Sequence, residues 1–351
     1  MNDVSPSVLR SGQLDDGARR LKGQGIHNLG YRGWSGQLAS GWTRWLVIAL
    51  VVIRRSWQNT WLKRILFFAW LPTLWFGTGL FLWEQASNYP EWRAIVVPLT
   101  RGLPRTPVME ELIAALRIDD MAGQRHLAWG WLLKSFFRYP QAFLMVLMVG
   151  LIAPPLISQD IRSRAFLIYF SRPLTRTEYV IGKLAGLWAY LAMISAIPAL
   201  VLYVMGILLS PSLDVIAATW DFPLRIAAAS FVLMLPTSAL ALGLSSLTQE
   251  SRIAGFAWFA VWILGWFTYS AVTSAQSFNS QSRFHDRNQI VEPVESAWTH
   301  LSLYHTLGRV QNWVFGFSDL SDVVWSIVIL VVLTTGSLVI LFRRISAPMR
   351  V

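Results

Sequence analysis

Six stretches of this 351-residue chain run for 18 residues or more without a single Asp, Glu, Lys or Arg: 65–83, 141–158, 184–209, 226–247, 253–275 and 323–342. A bilayer core of about 30 Å is crossed by about 20 apolar residues in a helix. With no water present, each backbone N–H and C=O must find its partner inside the segment. The pattern predicts six membrane-spanning helices. The shortest, 141–158, carries Pro154-Pro155 near one end. Without it the flanking basic segments would fall on opposite sides of the membrane. Residues 1–40 have no apolar stretch of the kind a cleavable signal needs, so the N-terminus is expected in the cytoplasm.

Charge tests this topology independently. The chain is 54% hydrophobic and 14% charged, against a charged share of about 25% in soluble domains. Its net charge of +11 is compatible with nucleic acid or with an anionic membrane face. With the N-terminus inside, segments 1–64, 159–183, 248–252 and 343–351 hold 19 Lys and Arg, while 84–140, 210–225 and 276–322 hold 11. Acidic residues divide the other way, leaving +13 inside and −2 outside. The positive-inside rule thus predicts both termini in the cytoplasm, and nucleic acid is not needed as a partner. Zero cysteines exclude disulfides, thiolate metal sites and cysteine nucleophiles.

Residues 1–40 are polar and glycine-rich and read as a flexible cytoplasmic tail. Residues 41–64 are too charged to span and too apolar to float. At helical spacing, Trp42, Trp45, Trp57 and Trp61 fall on one side and Arg44, Arg54, Arg55 and Gln58 on the other, with Val47 and Val51 interrupting the polar side. That pattern predicts an interfacial elbow helix. A six-span domain follows over 65–343, and 344–351 form a cytoplasmic C-terminus. The exterior segment 84–140 mixes acids, bases and prolines around a short helix-like stretch from Val108 to Arg117. The other, 276–322, turns apolar and aromatic after Glu295, which suits partial re-entry into the membrane. Many of the nineteen Trp residues cluster near predicted span ends and in the elbow, as interfacial belts do. Pro72, Pro198 and Pro236 lie inside spans as hinges or static kinks, and Gly182-x-x-x-Gly186 permits a close helix contact.

Segment 158–183, SQDIRSRAFLIYFSRPLTRTEYVIGK, joins the second and third spans. It sets Arg162, Arg164, Arg172, Arg176 and Lys183 around a wholly apolar run, Ala165–Phe170. Such a stretch reads as a short helix with a docking surface, or as an ordinary basic loop. Pro173 stops the first helix, and Thr175 with Glu178 has the spacing of a capping box that opens the next. From Asp160 through Phe170-Ser171-Arg172-Pro173-Leu174-Thr175-Arg176-Thr177-Glu178-Tyr179 to Gly182-Lys183, the segment resembles ABC-2 type transporter permeases. Within them it is most similar to the nitrous-oxide-maturation and gliding-motility branch. Arg164 departs from the pattern, because the family commonly has glycine there.

The resemblance implies an all-α membrane protein with ABC-2, type V exporter-like architecture: six transmembrane helices behind an N-terminal amphipathic elbow helix. It implies that 159–172 is a coupling helix received by a separate ABC ATPase subunit. Asp160, Arg162, Arg164, Phe166, Phe170 and Arg172 would then face that subunit, while Pro173 and Arg176 shape the turn. ATP and Mg²⁺ would be held by the ATPase and no cofactor by this chain. A second permease, in a homodimer or heterodimer, would complete the pathway.

The sequence has no phosphate-cradling G-x-x-x-x-G-K-[ST] motif, since Gly182-Lys183 is followed by Leu184. The six charge-free stretches offer no carboxylate for an ion relay, which points to an external energy source or a passive channel. His300 and His305 are five apart, a poorer fit to one helix face than three or four. They read as ordinary polar contacts or as a metal or haem site. Two other readings stay open at this level: a membrane scaffold or assembly factor using 84–140 and 276–322, and a channel or carrier without an ATPase.

Overall fold

The computed structural model describes residues 43–100, 107–117, 124–170, 174–283 and 297–346. The expected tail 1–40, Arg172, Pro173 and the last five residues lie outside them. The described chain is helical, with no strand: α1 (Arg44–Trp57), α2 (Thr60–Ala69), α3 (Leu71–Asn88), α4 (Pro90–Thr100), α5 (Pro107–Arg117), α6 (Arg125–Phe136), a π turn (Phe137–Gln141), α7 (Ala142–Arg162), α8 (Ala165–Phe170), α9 (Arg176–Ile194), α10 (Ala196–Leu209), α11 (Asp214–Ala218), α12 (Phe222–Leu247), α13 (Ser251–Arg283), a 3₁₀ turn (Ala297–Leu301), α14 (Leu303–Val314) and α15 (Leu320–Ser346). Six helical stretches are long and apolar enough to cross a membrane: Thr60–Asn88, Arg125–Arg162, Arg176–Leu209, Phe222–Leu247, Ser251–Ala275 and Leu320–Ser346.

These stretches match the six expected spans but reach further, most of all the second, which extends from 141–158 to Arg125–Arg162. The extensions contain Glu84, Arg125, Lys134, Arg138, Asp160 and Lys183, so absence of charge holds for the apolar cores and not for the helices. Glu84 explains how a charge is tolerated there. It is fully buried and accepts from Arg125 Nε and Nη2 at 3.0 Å each, from Trp129 Nε1 at 2.9 Å and from the Ser210 hydroxyl at 3.2 Å. One saturated carboxylate thereby ties together the first, second and third spans at the end away from the 158–183 segment.

Prolines mark two of the breaks. The first span divides at Trp70, two residues before Pro72, and the third at Ser195, three before Pro198, where the Ser195 hydroxyl donates to Leu191 O at 2.8 Å. Pro236 stays inside an unbroken α12. At Pro154-Pro155 two N–H groups are missing from the α7 ladder. Ser245 of α12 inserts there: its hydroxyl accepts from Ile157 N at 3.2 Å and Ser158 N at 3.1 Å and donates to Pro154 O at 2.6 Å.

The elbow differs from a helix lying free on the membrane surface. Its face Ile48, Ala49 and Val52 packs on α9, with contacts at Gly182, Gly186 and Tyr190 in rising order, so the two helices run in the same direction. A methyl at Gly182 would stand 2.6 Å from Trp45 O, and one at Gly186 2.6 Å from Val52 Cβ. Leu46, Val47, Leu50 and Val51 are the exposed residues, so the outer side of α1 is apolar over this length. Asn59, whose side chain accepts from Trp61 N, ends the elbow and starts the first span. In the 276–322 segment, where partial re-entry is expected, the chain forms α14, which has 12 residues. The chain turns at Gly316 (φ +82°) into α15.

Candidate functional site

The turn between α7 and α9 is built around Asp160. Its carboxylate is buried, with Lys183 Nζ at 2.6 Å and the Tyr179 hydroxyl donating at 2.6 Å. Lys183 also donates to Leu156 O at 2.8 Å, and its ammonium lies 5.3 Å from the Tyr179 ring centre. A buried ion pair holds only when its remaining donors and acceptors are met, and here a phenol and a helix carbonyl meet them. The second and third spans are thereby clamped where they leave the bundle. Gly182 and Lys183 divide the work: the glycine admits the elbow, and the lysine reaches the carboxylate.

Beyond the clamp, α7 ends at Arg162 and the chain turns through Ser163 and Arg164. Arg164 has φ +52°, the only positive φ on a non-glycine among the described residues. The departure from the family's glycine therefore falls where an L side chain is strained. In α8, Phe166 is buried edge-on against Tyr179 at 5.5 Å, and Tyr169 lies 5.6 Å from the same ring. Burial first, and then the Asp160 carboxylate, push the Tyr169 phenol up, with Arg55 opposing. The capping box is formed: Thr175 Oγ1 accepts from Glu178 N at 3.2 Å, and Glu178 Oε2 accepts from Thr175 N at 2.7 Å.

The expected docking residues thus separate into two groups. Arg162, Arg164 and Arg176 are exposed; Arg162 pairs with Glu250 at 3.0 Å, and Arg176 donates to the Ser346 hydroxyl at 2.6 Å. Asp160 and Phe166 face inward, a correction to their expected place on the surface, because the carboxylate is consumed by Lys183 and the ring by Tyr179. The Phe170 side chain, Arg172 and Pro173 lie outside the described residues. Sequence reasoning missed Tyr179 and Lys183 as partners of Asp160, and Gln159, which accepts from Arg55 of the elbow. Their signal was present as spacing: Tyr179 and Lys183 are four apart and share a face of α9.

The bonds Arg162–Glu250 and Arg176–Ser346 bring the ends of the fourth and sixth spans and the start of the fifth to the same end of the bundle. Arg252, Arg343 and Arg344 are exposed there as well. This end presents cations around one short helix, with Glu250 as an exposed acid. His300 and His305 have different partners. His300 meets Arg309, whereas His305 lies against Tyr269 and Ser302, and no group of three or more His, Asp or Glu able to hold a metal occurs among the described residues.

Six helical stretches able to span, an inserted elbow and a clamped, cation-rich turn define a helical, multi-pass membrane protein. Residues 34–345 match the model of the ABC-2 family transporter protein, and the chain belongs to that family. Members generally work with an ABC ATPase subunit and are typically not enzymes themselves. No curated protein and no solved structure matches the chain.

Proposed function

We propose that this chain is the permease subunit of an ATP-driven exporter and that the turn 159–176 docks on a separate ABC ATPase. The observation that carries this reading is the exposure of Arg162, Arg164 and Arg176 on a turn whose root is clamped by Asp160, Lys183 and Tyr179. A docking element must offer its partner side chains while passing displacement to the spans without flexing. The clamp supplies the stiffness and the arginines supply the contact.

In this mechanism two permease copies and two ATPases form the assembly, in the inner membrane with both termini in the cytoplasm. Nucleotide binding draws the ATPases together and moves the turn. The clamp passes that movement to the second and third spans, and Ser245 passes it to the fourth. Transport follows because ATP binds the two span arrangements with different affinity, which is the condition for a ligand to shift their populations. Members of the assembly other than this chain supply ATP hydrolysis.

The test is co-purification with an ABC ATPase subunit, followed by ATPase measurements in proteoliposomes. Arg162→Glu with Arg164→Glu should abolish recovery of the ATPase while leaving the permease monodisperse. Undiminished recovery and undiminished ATPase stimulation would refute the docking assignment.

A further inference from the structure

At the opposite end of the bundle the second span carries Lys134 and Arg138 one turn apart, both turned toward protein. The Lys134 ammonium lies 4.7 Å from the Phe317 ring centre. The Arg138 guanidinium stacks 3.7 Å from the Tyr304 ring centre and donates to Tyr304 O. It fills the place where a methyl on Gly308 would sit, 2.2 Å from Arg138 Nη1. On the same short helix α14, Arg309 reaches the His300 ring and donates to Thr299 Oγ1 at 2.9 Å. His305 registers the resulting field: burial first, then Arg138 and Arg309, push its imidazole down to about 4.

None of these three cations has a carboxylate partner among the described residues. Three other cations turned toward protein have one: Lys183 has Asp160, Arg125 has Glu84 and Arg225 has Asp221. Gathering like charges where protein half-covers them is unfavourable without a counter-charge. A second, independent observation lies alongside. Gln141 is fully buried in the same π turn as Arg138, and neither its Oε1 nor its Nε2 has a hydrogen-bond partner. Gln311, on the Tyr304 and Gly308 face of α14, is buried with Nε2 unpartnered. Cations lacking an anion and amide donors lacking acceptors thus occur at one helix contact.

We propose that this contact binds a phosphate-type oxyanion, held by Lys134, Arg138 and Arg309 and receiving hydrogen bonds from Gln141 and Gln311. Its depth suits the headgroup layer. The apolar stretch of the second span begins at Gln141, and at about 1.5 Å per residue Arg138 and Lys134 stand about 5 and 10 Å beyond it. The oxyanion can be a lipid headgroup or a free phosphate, and the proposal is independent of the transport reading.

Two arms separate the sources. In the first, the full-length protein in mild detergent is mixed with equal amounts of phosphatidylglycerol and phosphatidylcholine and examined by native mass spectrometry. In the second, its thermal unfolding midpoint is followed in inorganic phosphate and in chloride at matched ionic strength. Preferential retention of phosphatidylglycerol identifies a headgroup, and a rise in midpoint specific to phosphate identifies a soluble anion. Lys134→Gln and Arg309→Gln should each weaken the responding arm about tenfold, the value of one hydrogen bond to a charged group. Gln141→Leu keeps the site testable if either charge variant fails to fold. No preference in either arm, or equal binding by the variants, would overturn the proposal and leave the amides to water.

Discussion

Asp160 shows how one buried carboxylate can organise a surface it does not belong to. Lys183→Met leaves that carboxylate without its counter-charge and should destabilise the protein by about 3–5 kcal/mol. Adding Asp160→Asn should restore most of the loss. Denaturation of the two single variants and the double variant in detergent measures the coupling. Arg164→Gly should raise stability by up to about 1 kcal/mol, since it removes left-handed strain from an exposed side chain. A lower melting temperature for that variant would show that Arg164 makes a compensating contact. Gly308→Ala forces Arg138 out of its place over Tyr304 and should lower the melting temperature more than Gly336→Ala, because nothing stands within 4 Å of a methyl at Gly336. The capping pair Thr175 and Glu178 was legible in the sequence because its chemistry is local. The inward turn of Asp160 was not, because its partner on α9 lies across a reversal of the chain.

Elements were legible to the extent that apolar pattern defines them. All six spans appeared as charge-free runs. Their lengths did not, because Glu84, Arg125, Asp160 and Lys183 look like loop residues until their partners are known. The elbow was recognised from its Trp and Arg spacing, yet its buried face is set by two glycines on another helix. Gly186→Leu should therefore release α1 from α9. Hydrogen exchange over 44–57 should rise, while exchange in α12 stays unchanged. Unaltered protection of α1 would mean that the elbow is held by something other than this contact. Ser245→Ala removes the hydroxyl bonded to Ile157 N, Ser158 N and Pro154 O and should cost about 1 kcal/mol or more as those bonds are lost. Its melting temperature should fall below that of Ser321→Ala, since Ser321 is exposed.

Across the whole molecule, the proposed orientation rests on the division of charge between its two ends. The absence of cysteine makes the test direct. Thr177→Cys should react with an impermeant maleimide in inside-out vesicles only, and Asp319→Cys in right-side-out vesicles only. The reverse pattern would invert the topology and remove the turn from reach of a cytoplasmic ATPase. Docking through exposed arginines is screened by salt, so ATPase recovery should decline steadily between about 0.05 and 0.5 M salt. In the proposed coupling, the hydroxyl of Ser245 would set how a push at the turn is spent. Two amides just past the double proline, those of Ile157 and Ser158, donate to a hydroxyl of the fourth span. Under the proposed docking, torque entering at Arg162 would be carried sideways before it climbs, and the second span would work as a crank against its neighbour rather than as a piston along its own axis.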